Sequence, residues 1–396
     1  MRRYILTLIL CVFALIPAHS AIHFRAAWIA TVANIDWPQP ETIGQTEMQK
    51  ETLLTILDSL QALGMNAVIF QVRPTADALY LSELEPTSHW LTGTQGHWGD
   101  ATPYDALRFI CEEAHSRHME VHVWLNPFRL TLHTMNLDML AEDHIYRVHP
   151  EWFWKYGKQW YFNPALPETR DWICMVVEDI CCRYDIDAIH MDDYFYPYPL
   201  PKTPIPDRQQ FLADPRGFTN INDWRRDNVN LTIEAIHNMI RRTRPEVRFG
   251  ISPFGVWRNS DRDSVRGSQT KAGMTNYDDL YADILLWIEK GWIDYVVPQL
   301  YWEIGKKVAD YETLAHWWAE AVRGTKVELY IGMAPYRLGG QNEAAAWKTG
   351  NEIVRQMHLN RTIPEITGEC FYSTRPLLMN PLGVCDSIRS IYSAEP

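Results

Sequence analysis

Short apolar runs alternate with amphipathic segments along the chain, and the alternation occurs eight times. Each run has the length of a buried strand, and the segments between them carry apolar residues at helical spacing. The runs are FRAAWIATVAN (24–34), MNAVIFQVRP (65–74), MEVHVWLNPFR (119–129), IDAIHMDDY (186–194), VRFGISPFGVW (247–257), IDYVVPQLYW (293–302), VELYIGMAPY (327–336) and ITGECFYST (366–374). Eight strands with eight helices predict an α/β fold, a single (β/α)8 barrel.

The N-terminal residues differ in character from the rest of the chain. Residues 1–20, MRRYILTLILCVFALIPAHS, combine two arginines, an apolar stretch and small residues placed for cleavage before Ala21. This is the pattern of a secretory signal peptide. The remaining length suits one barrel domain over residues 21–396, so we expect a protein exported to the periplasm or the cell exterior, without stable membrane insertion after cleavage.

Charge and cysteine content narrow the class of partner. The formal net charge is −12, and the lysines and arginines are scattered rather than clustered, which argues against nucleic acid or an anionic membrane as a partner. Cys174, Cys181 and Cys182 share one helical pattern without a CxxC pair or a histidine at zinc-ligand spacing. We expect buried thiols and no cofactor, although an exported protein can pair some cysteines.

The connections between the predicted elements are uneven in length. The segments 74–103, 127–166, 195–220 and 255–276 all follow strands, whereas the links from helices to strands are a few residues long. Loops that leave the carboxyl ends of strands carry the active sites of barrel enzymes. The long connections therefore indicate which face of the barrel is functional.

Polar side chains are predicted to point into the barrel near that face. Successive strand residues point in opposite directions, so residues that alternate with the apolar outer positions face inward. The inward set is Gln71, Arg73, His122, Trp124, Asn126, Ala188, His190, Asp192, Gln299 and Tyr301. Four strands thus deliver polar groups to one rim.

The adjacent carboxylates of Asp192 and Asp193 are the strongest catalytic signal. Two neighbouring carboxylates repel each other, and perturbed carboxylates cluster in active sites. Glycoside hydrolysis uses an acid with a second carboxylate, or an aspartate that directs a substrate acetamido group. Metal-dependent hydrolysis, with Asp192, His190 and His122 as ligands, is a second chemistry that the sequence leaves open, although no HxH or Glu-x-x-His spacing supports it.

Aromatic residues are concentrated in the predicted rim loops. Flat rings beside polar groups suit the apolar faces of sugars, while amide, guanidinium and phenol groups bond the hydroxyls. The candidates for such contacts include Tyr194, Tyr196, Trp257 and Trp302. The rim therefore favours a carbohydrate groove with a polysaccharide substrate.

Several motifs in order resemble the glycosyl hydrolase-like ten family, exported bacterial (β/α)8 proteins that include enzymes cutting peptidoglycan glycan strands. The matching stretches are FRAAWIATVANIDWP, FQVRPTADALY, VHVWLNPFR, IDAIHMDDYFYPYP, GISPFGVWRN, VVPQLYW and GMAPYRLG. The resemblance implies an active site centred on Asp192 and Asp193, with a sugar subsite lined by Arg73, Asn126, His190, Gln299 and Tyr301. Arg258 and Trp37 also match motif positions of the family.

The second catalytic carboxylate is the open point of this hypothesis. No carboxylate stands at the end of the fifth predicted strand, so a partner outside the pair would come from Glu303, Asp36, Asp261 or Asp263. The aspartate pair can instead act together on an N-acetylated sugar, provided that the chain turns after Asp192.

We expect hydrolysis of an N-acetylhexosamine-containing glycan, with peptidoglycan as the expected polymer, and Asp192 with Glu303 as the second mechanism. A non-catalytic carbohydrate-binding barrel and a metal-dependent deacetylase or amidase are the alternative functions.

Overall fold

Eight parallel strands close into a barrel in the computed structural model, which describes residues 22–394. The signal peptide predicted over residues 1–20 lies outside this described part. The described part has ten strands, of which β4 and β5 lie outside the barrel: β1 (Phe24–Ile29), β2 (Ala67–Arg73), β3 (Glu120–Leu125), β4 (Phe153–Tyr156), β5 (Gln159–Phe162), β6 (Ala188–Met191), β7 (Arg248–Ile251), β8 (Tyr295–Val296), β9 (Glu328–Met333) and β10 (Ile366–Phe371). Around the barrel the order is β1-β10-β9-β8-β7-β6-β3-β2, which confirms all eight predicted strands and the (β/α)8 class.

Helices follow the strands and surround the barrel. They are α1 (Thr46–Ala62), α2 (His89–Thr92), α3 (Ala106–Ser116), α4 (Ile145–Val148), α5 (Pro167–Arg183), α6 (Arg208–Ala213), α7 (Ile221–Thr243), α8 (Asn276–Asp279), α9 (Ile284–Lys290), α10 (Tyr311–Val322), α11 (Asn351–Asn360), α12 (Thr374–Met379) and α13 (Val384–Ser393). Short 3-10 turns lie at Val32–Asn34, Pro40–Thr42, Leu137–Met139, Pro150–Trp152, Pro335–Arg337, Ala345–Lys348 and Pro381–Gly383. Within residues 22–394, no helix is both long and apolar enough to cross a bilayer.

The two sides of the barrel strands separate as the alternation predicts. Ile189 and Met191 belong to the large core between the barrel and its helices, whereas Trp124 and Ala188 belong to the small core inside the barrel. The cysteines of the described part are free thiols, with Cys182 exposed, Cys174 half-buried and the other four buried.

Arg73 is an exception, and its predicted inward direction is wrong. The register between β2 and β3 shifts after Gln71, so Arg73 pairs with Leu125, which faces the outer core. A bulge adds one residue to a strand and moves the following side chains to the other face. The extra residue here is Val72, and an alternation count along a regular strand cannot reveal it.

A hairpin that the sequence analysis did not predict lies in the long loop after β3. Strands β4 and β5 pair antiparallel around a turn at Gly157, whose φ is +60°. Glycine adopts this conformation without the steric cost that a Cβ atom imposes. The hairpin projects aromatic side chains beside the carboxyl ends of the barrel strands, since Arg129 bridges to Tyr161 directly after β3.

Candidate active site

Asp192 and Asp193 line one cavity of about 170 Å³ at the carboxyl ends of the barrel strands. Strand β6 ends at Met191, one residue before the pair, so the two side chains are released from strand alternation. The turn that the sequence analysis required is therefore present. The pair supplies the only carboxylates among the described residues that line this cavity.

The Asp192 carboxylate is held by three donors. Its Oδ2 accepts hydrogen bonds from Asn126 Nδ2 (2.5 Å) and Trp124 Nε1 (3.1 Å), and its Oδ1 accepts from the backbone N–H of Tyr194 (3.0 Å). Burial raises the pKa of Asp192, while Arg129 and these hydrogen bonds oppose that rise. The arrangement fixes the orientation of the carboxylate and favours its charged form over that of its neighbour.

Asp193 is the more strongly perturbed acid. Burial, followed by the charge of Asp192, raises its pKa to about 7. Its Oδ2 accepts a hydrogen bond from the Tyr198 hydroxyl, and its Oδ1 accepts from Gln299 Nε2 (3.3 Å). Two neighbouring carboxylates with different surroundings separate into one that keeps its proton and one that loses it.

Aromatic and amide groups complete the cavity wall. The lining residues besides the aspartates are Trp28, Trp124, Tyr194, Tyr198, Ser252, Gln299, Tyr301 and Tyr372. Tyr194, Gln299 and Tyr301 were predicted as binding residues, whereas Trp28, Ser252 and Tyr372 were not. Strand alternation in the first, fifth and eighth predicted runs places these three residues inward, so the sequence carries a signal for them.

Asn126 and His190 lie behind the cavity wall rather than on it. Asn126 holds Asp192, and its Oδ1 accepts hydrogen bonds from Gln71 Nε2 (2.6 Å) and Arg129 Nη2 (2.7 Å). His190 is fully buried, with Nε2 2.9 Å from Ser252 Oγ. Both residues therefore position groups of the cavity.

Arg73 forms a buried ion pair away from the cavity. Its Nε and Nη2 donate to the two carboxylate oxygens of Glu85 (2.7 and 2.6 Å), and its Nη1 donates to the carbonyls of Asn126 (2.7 Å) and Pro127 (3.1 Å). The guanidinium thus ties the β2–Glu85 connection to the backbone after β3. Its role is to support the strand end that carries Asn126.

Replacing Arg73 by methionine is expected to lower the free energy of unfolding by about 3–5 kcal/mol, because Glu85 would remain buried without its cation. Denaturant unfolding measures the change. The exposed Lys50–Glu47 pair is the control, since Lys50→Met should cost about 1 kcal/mol or less. Equal effects of the two substitutions would contradict the structural role of Arg73.

Four other predicted binding residues lie outside the cavity lining. Tyr196 is fully buried and accepts a hydrogen bond from Asn228 (3.0 Å), and Trp257 is fully buried and stacked on Trp317. Arg258 binds both carboxylate oxygens of Asp278 (2.9 Å each), and Trp302 packs edge-on against Phe254. The remaining matched motif residue, Trp37, is buried and donates to the Gln49 carbonyl (3.0 Å).

The carboxylates predicted as partners of the pair are engaged elsewhere. Glu303 accepts a hydrogen bond from Trp347 Nε1 (3.0 Å) and pairs with Lys306 (3.1 Å), and its pKa is lowered despite partial burial. Asp36 accepts from the backbone of Ala30 and Arg375.

Asp261 is exposed, and Asp263 caps the backbone at Val265 and Arg266. The structure thus brings neither Glu303 nor Asp36, Asp261 or Asp263 to the cavity wall.

The two histidines considered as metal ligands share a different partner. His122 Nδ1 and His190 Nδ1 both contact the Tyr295 hydroxyl, at 2.7 and 3.0 Å. Among residues 22–394, no three histidine, cysteine, aspartate or glutamate side chains converge in a geometry that could hold a metal ion.

Two depressions flank the cavity. The hairpin groove, of about 520 Å³, shares Tyr194 and Tyr198 with the cavity and is lined by His133, Tyr156, Gly157, Lys158, Gln159, Tyr161, Tyr194, Tyr198 and Leu200. The apolar recess, of about 340 Å³, shares Tyr372 with the cavity and is lined by Ile35, Pro335, Tyr336, Leu338, Tyr372, Ser373, Arg375, Pro376, Met379 and Pro381. The cavity that the aspartates line therefore adjoins two further surfaces.

Comparison with known proteins gives sequence relatives over nearly the whole chain. Residues 23–349 match the family described as Glycosyl hydrolase-like 10. The chain is 46% identical to glycosyl hydrolase YngK of Bacillus subtilis strain 168, over all of this chain and 77% of the relative. It is 36% identical to glycosyl hydrolase DigH of Escherichia coli K12, over 88% of this chain and 82% of the relative.

Solved structures share the fold at low sequence identity. The glycoside hydrolase domain of PgaB from Bordetella bronchiseptica superposes with a TM-score of 0.56 at 12% identity, covering 96% of this chain and all of that domain. The catalytic domain of β-amylase from Paenibacillus polymyxa superposes with a TM-score of 0.58 at 10% identity, covering 95% of this chain and all of that domain. Both likenesses concern the barrel architecture.

Proposed function

The chain belongs to the glycosyl hydrolase-like 10 family and is a glycosidase, and from this premise we propose that it hydrolyses an N-acetylhexosamine-containing glycan, specifically peptidoglycan strands, with Asp192 and Asp193. The single observation that carries the proposal is that two adjacent carboxylates, differently hydrogen-bonded, line one aromatic cavity. We propose this hydrolysis in preference to the two alternative functions, a non-catalytic carbohydrate-binding barrel and a metal-dependent deacetylase or amidase.

Asp193 is assigned the role of general acid. A pKa of about 7 keeps a large fraction of this carboxyl group protonated at neutral pH, as protonation of a glycosidic oxygen requires. After the bond breaks, the same group as a carboxylate accepts a proton from the incoming water. The opposing hydrogen bonds from Tyr198 and Gln299 keep the pKa close to the working pH rather than far above it.

Asp192 is assigned the role of orienting the substrate acetamido group. An ionised carboxylate next to the acid can accept the amide N–H of an N-acetylated sugar, so that the acetamido oxygen attacks the anomeric carbon in place of a protein nucleophile. The donors on Asp192 hold the carboxylate in one orientation before substrate arrives. Lack of a third carboxylate on the described cavity wall supports this route over the pairing of Asp192 with Glu303.

The flanking surfaces support a polymeric substrate. The hairpin groove and the apolar recess both adjoin the cavity, so a glycan chain can continue beyond the bond at the aspartates. Lys158 supplies a cation to the hairpin groove, which has no carboxylate among its lining residues. Such a groove suits a glycan with acidic substituents, in agreement with a peptidoglycan strand.

The test of the proposed function is incubation of the purified protein with peptidoglycan that carries or lacks stem peptides, with and without a chelator. Mass spectrometry of the soluble products should show glycan fragments with new reducing ends, independent of chelator. Fragments released only from another amino-sugar polymer would replace the substrate. Release of acetate without chain cleavage would indicate a deacetylase instead.

The activity is expected to depend on pH in a bell shape. The rate should fall as the pH rises through about 7, because Asp193 then loses its proton, and should fall in acid when Asp192 is protonated. In Tyr198→Phe, Asp193 loses a hydrogen bond that lowers its pKa, so the alkaline limb of kcat/KM should move to higher pH. An alkaline limb that stays in place would contradict the assignment of the acid.

We also propose that the protein is exported, because residues 1–20 carry the signal-peptide pattern. Peptidoglycan lies outside the cytoplasmic membrane, so export is required for the proposed substrate. N-terminal sequencing of the protein recovered from its native cell should begin at Ala21. A sequence that begins at the first residue in the soluble cytoplasmic fraction would contradict export.

A further inference from the structure

A chain of hydrogen bonds runs along the barrel interior from the cavity to the opposite end of the strands. Ser252 Oγ lies 2.9 Å from His190 Nε2, and His190 Nδ1 lies 3.0 Å from the Tyr295 hydroxyl. The same hydroxyl lies 2.7 Å from His122 Nδ1, and His122 Nε2 lies 3.0 Å from Glu120 Oε2. Ser252 lines the cavity, so this chain connects the candidate active site with the barrel floor.

Burial favours the neutral form of both imidazoles of this chain. Burial lowers the pKa of His122 and lowers that of His190 well below its usual range. A neutral imidazole has one N–H donor and one bare nitrogen acceptor, so each ring has to adopt one of two tautomers. The partners of the rings decide which tautomer each adopts.

The Tyr295 hydroxyl forces the two rings into opposite tautomers. It has one proton and contacts two Nδ1 atoms, so it donates to one histidine and accepts from the other. A hydroxyl between two bare nitrogens would leave one contact without a proton. Two Nδ1–H donors would compete for the oxygen and leave the hydroxyl proton without an acceptor.

The contacts of His122 at the barrel floor determine which histidine donates a hydrogen bond to the Tyr295 hydroxyl and which accepts one. Glu120 Oε2 is an acceptor, so His122 Nε2 satisfies it by carrying the proton, which leaves His122 Nδ1 bare for the Tyr295 hydroxyl. Arg248 Nη2 also lies 3.1 Å from His122 Nε2, but it donates to the same Glu120 oxygen, so Glu120 Oε2 can accept from both Arg248 and His122. In the opposite arrangement a bare His122 nitrogen would face a carboxylate oxygen.

We propose that this chain fixes Ser252 as a hydrogen-bond acceptor toward the substrate. His190 carries its proton on Nδ1 and leaves Nε2 bare, so Ser252 donates its hydroxyl proton to Nε2 and presents only lone pairs to the cavity. Ser252 then selects a substrate O–H or amide N–H and disfavours a carbonyl oxygen at this place. This consequence rests on the proposed glycan substrate, whereas the tautomers are properties of the protein alone.

The position of Tyr295 is specified by its packing. An ideal Cβ atom at Gly250 would lie 1.9 Å from Tyr295 Cζ, so a glycine on β7 is required for the ring to occupy the barrel axis. The ring is fully buried and stacks on His190 at a centroid distance of 5.9 Å. His190, Tyr295 and His122 are therefore positioning residues, and Ser252 is the residue that contacts substrate.

The tautomers can be measured by long-range ¹H–¹⁵N correlation NMR of the intact protein labelled at histidine. We expect His190 with a proton on Nδ1 and His122 with a proton on Nε2, both neutral at neutral pH. The His190 signals are identified by their shift in Ser252→Ala. A proton on His190 Nε2, or a charged His190, would overturn the proposal.

Tyr295→Phe tests the link between the two rings without altering the cavity lining. Without the hydroxyl, an Nδ1–H of His190 would lack an acceptor, so His190 should move its proton to Nε2 and donate to Ser252. Tyr330→Phe is the matched control, because its hydroxyl bonds Glu328 and Arg248 in the same barrel but lies outside the chain. An unchanged His190 tautomer in Tyr295→Phe would overturn the proposal. If that variant does not fold, the wild-type tautomers alone decide it.

Kinetics on glycan fragments separate this proposal from the proposed function. Ser252→Ala and Tyr295→Phe should each raise KM by about tenfold, the effect of one hydrogen bond, with a smaller change in kcat and with Tyr330→Phe unchanged. If wild type cleaves no glycan, the proposed function fails while the NMR result still decides the tautomers. If wild type is active and Ser252→Ala leaves KM unchanged, the role of Ser252 is overturned alone.

Discussion

Replacing Asp193 by asparagine is expected to lower kcat/KM on the glycan by about 10² to 10⁴, the range typical of a general acid. Asparagine preserves the size of the side chain but keeps only one of the two oxygen acceptors that Tyr198 and Gln299 use, and it cannot transfer a proton to the glycosidic oxygen. The loss should appear in kcat, because the substrate contacts of the aromatic wall remain. Steady-state release of reducing ends measures it.

Glu303→Gln is the control that distinguishes the two mechanisms. Glu303 bonds Trp347 and Lys306, so its neutralisation should leave kcat near the wild-type value. A loss in Glu303→Gln as large as that in Asp193→Asn would instead support the conventional two-carboxylate mechanism.

Thermal unfolding supplies the folding control for Asp193→Asn. The raised pKa means that the folded state binds this proton more tightly than the unfolded chain does, so its contribution to stability is lost as the pH rises through about 7. Asparagine avoids this loss. The melting temperature of Asp193→Asn relative to wild type should therefore increase from about pH 5 to about pH 8.

Asp192→Asn is expected to lower kcat by about 10² to 10³, the typical cost of removing one preorganised electrostatic contact to a transition state. The amide nitrogen of asparagine would face the donors of Asn126 and Trp124, and the variant would lack the charge that orients the acetamido group. The alkaline limb should move to lower pH at the same time, because the charge of Asp192 raises the pKa of Asp193. Stopped-time assays across the pH range measure both effects.

Asp36→Asn is the matched control for Asp192→Asn. Asp36 is also a buried aspartate with a raised pKa and three hydrogen bonds, but it holds the loop after β1 to Ser373 and Arg375. Its replacement should lower the melting temperature and leave kcat per folded molecule unchanged. A similar loss of kcat in both variants would indicate that the effect of Asp192→Asn comes from general loosening of the barrel.

The sequence was sufficient to predict the barrel and the location of the paired acids. Strand alternation depends only on backbone geometry, so it correctly placed Trp124, Asn126 and His190 inside the barrel. The prolines and aromatics after Asp193 correctly indicated that the strand ends at the aspartate pair. The two carboxylates are therefore not required to point to opposite faces of a strand. These features are local, and local patterns can be seen in one sequence.

The features that the sequence missed depend on contacts between distant segments. Arg73 was directed outward by one extra residue in β2, and its partner Glu85 belongs to a loop that no strand pattern describes. The sequence around Glu303 does not predict its hydrogen bond with Trp347, because Trp347 lies far from it along the chain. The hairpin β4–β5 lies in a segment predicted as a rim loop, although the alternating aromatics around Gly157 are typical of strand pairing.

The most direct test of the central claim compares glycan strands that keep their N-acetyl groups with the same strands after chemical N-deacetylation. Wild-type protein should release fragments, detected by mass spectrometry, from the acetylated strands and almost none from the deacetylated strands, because the acetamido oxygen is the proposed nucleophile. Equal cleavage of both substrates would contradict the participation of the acetamido group and would require another nucleophile beside Asp193.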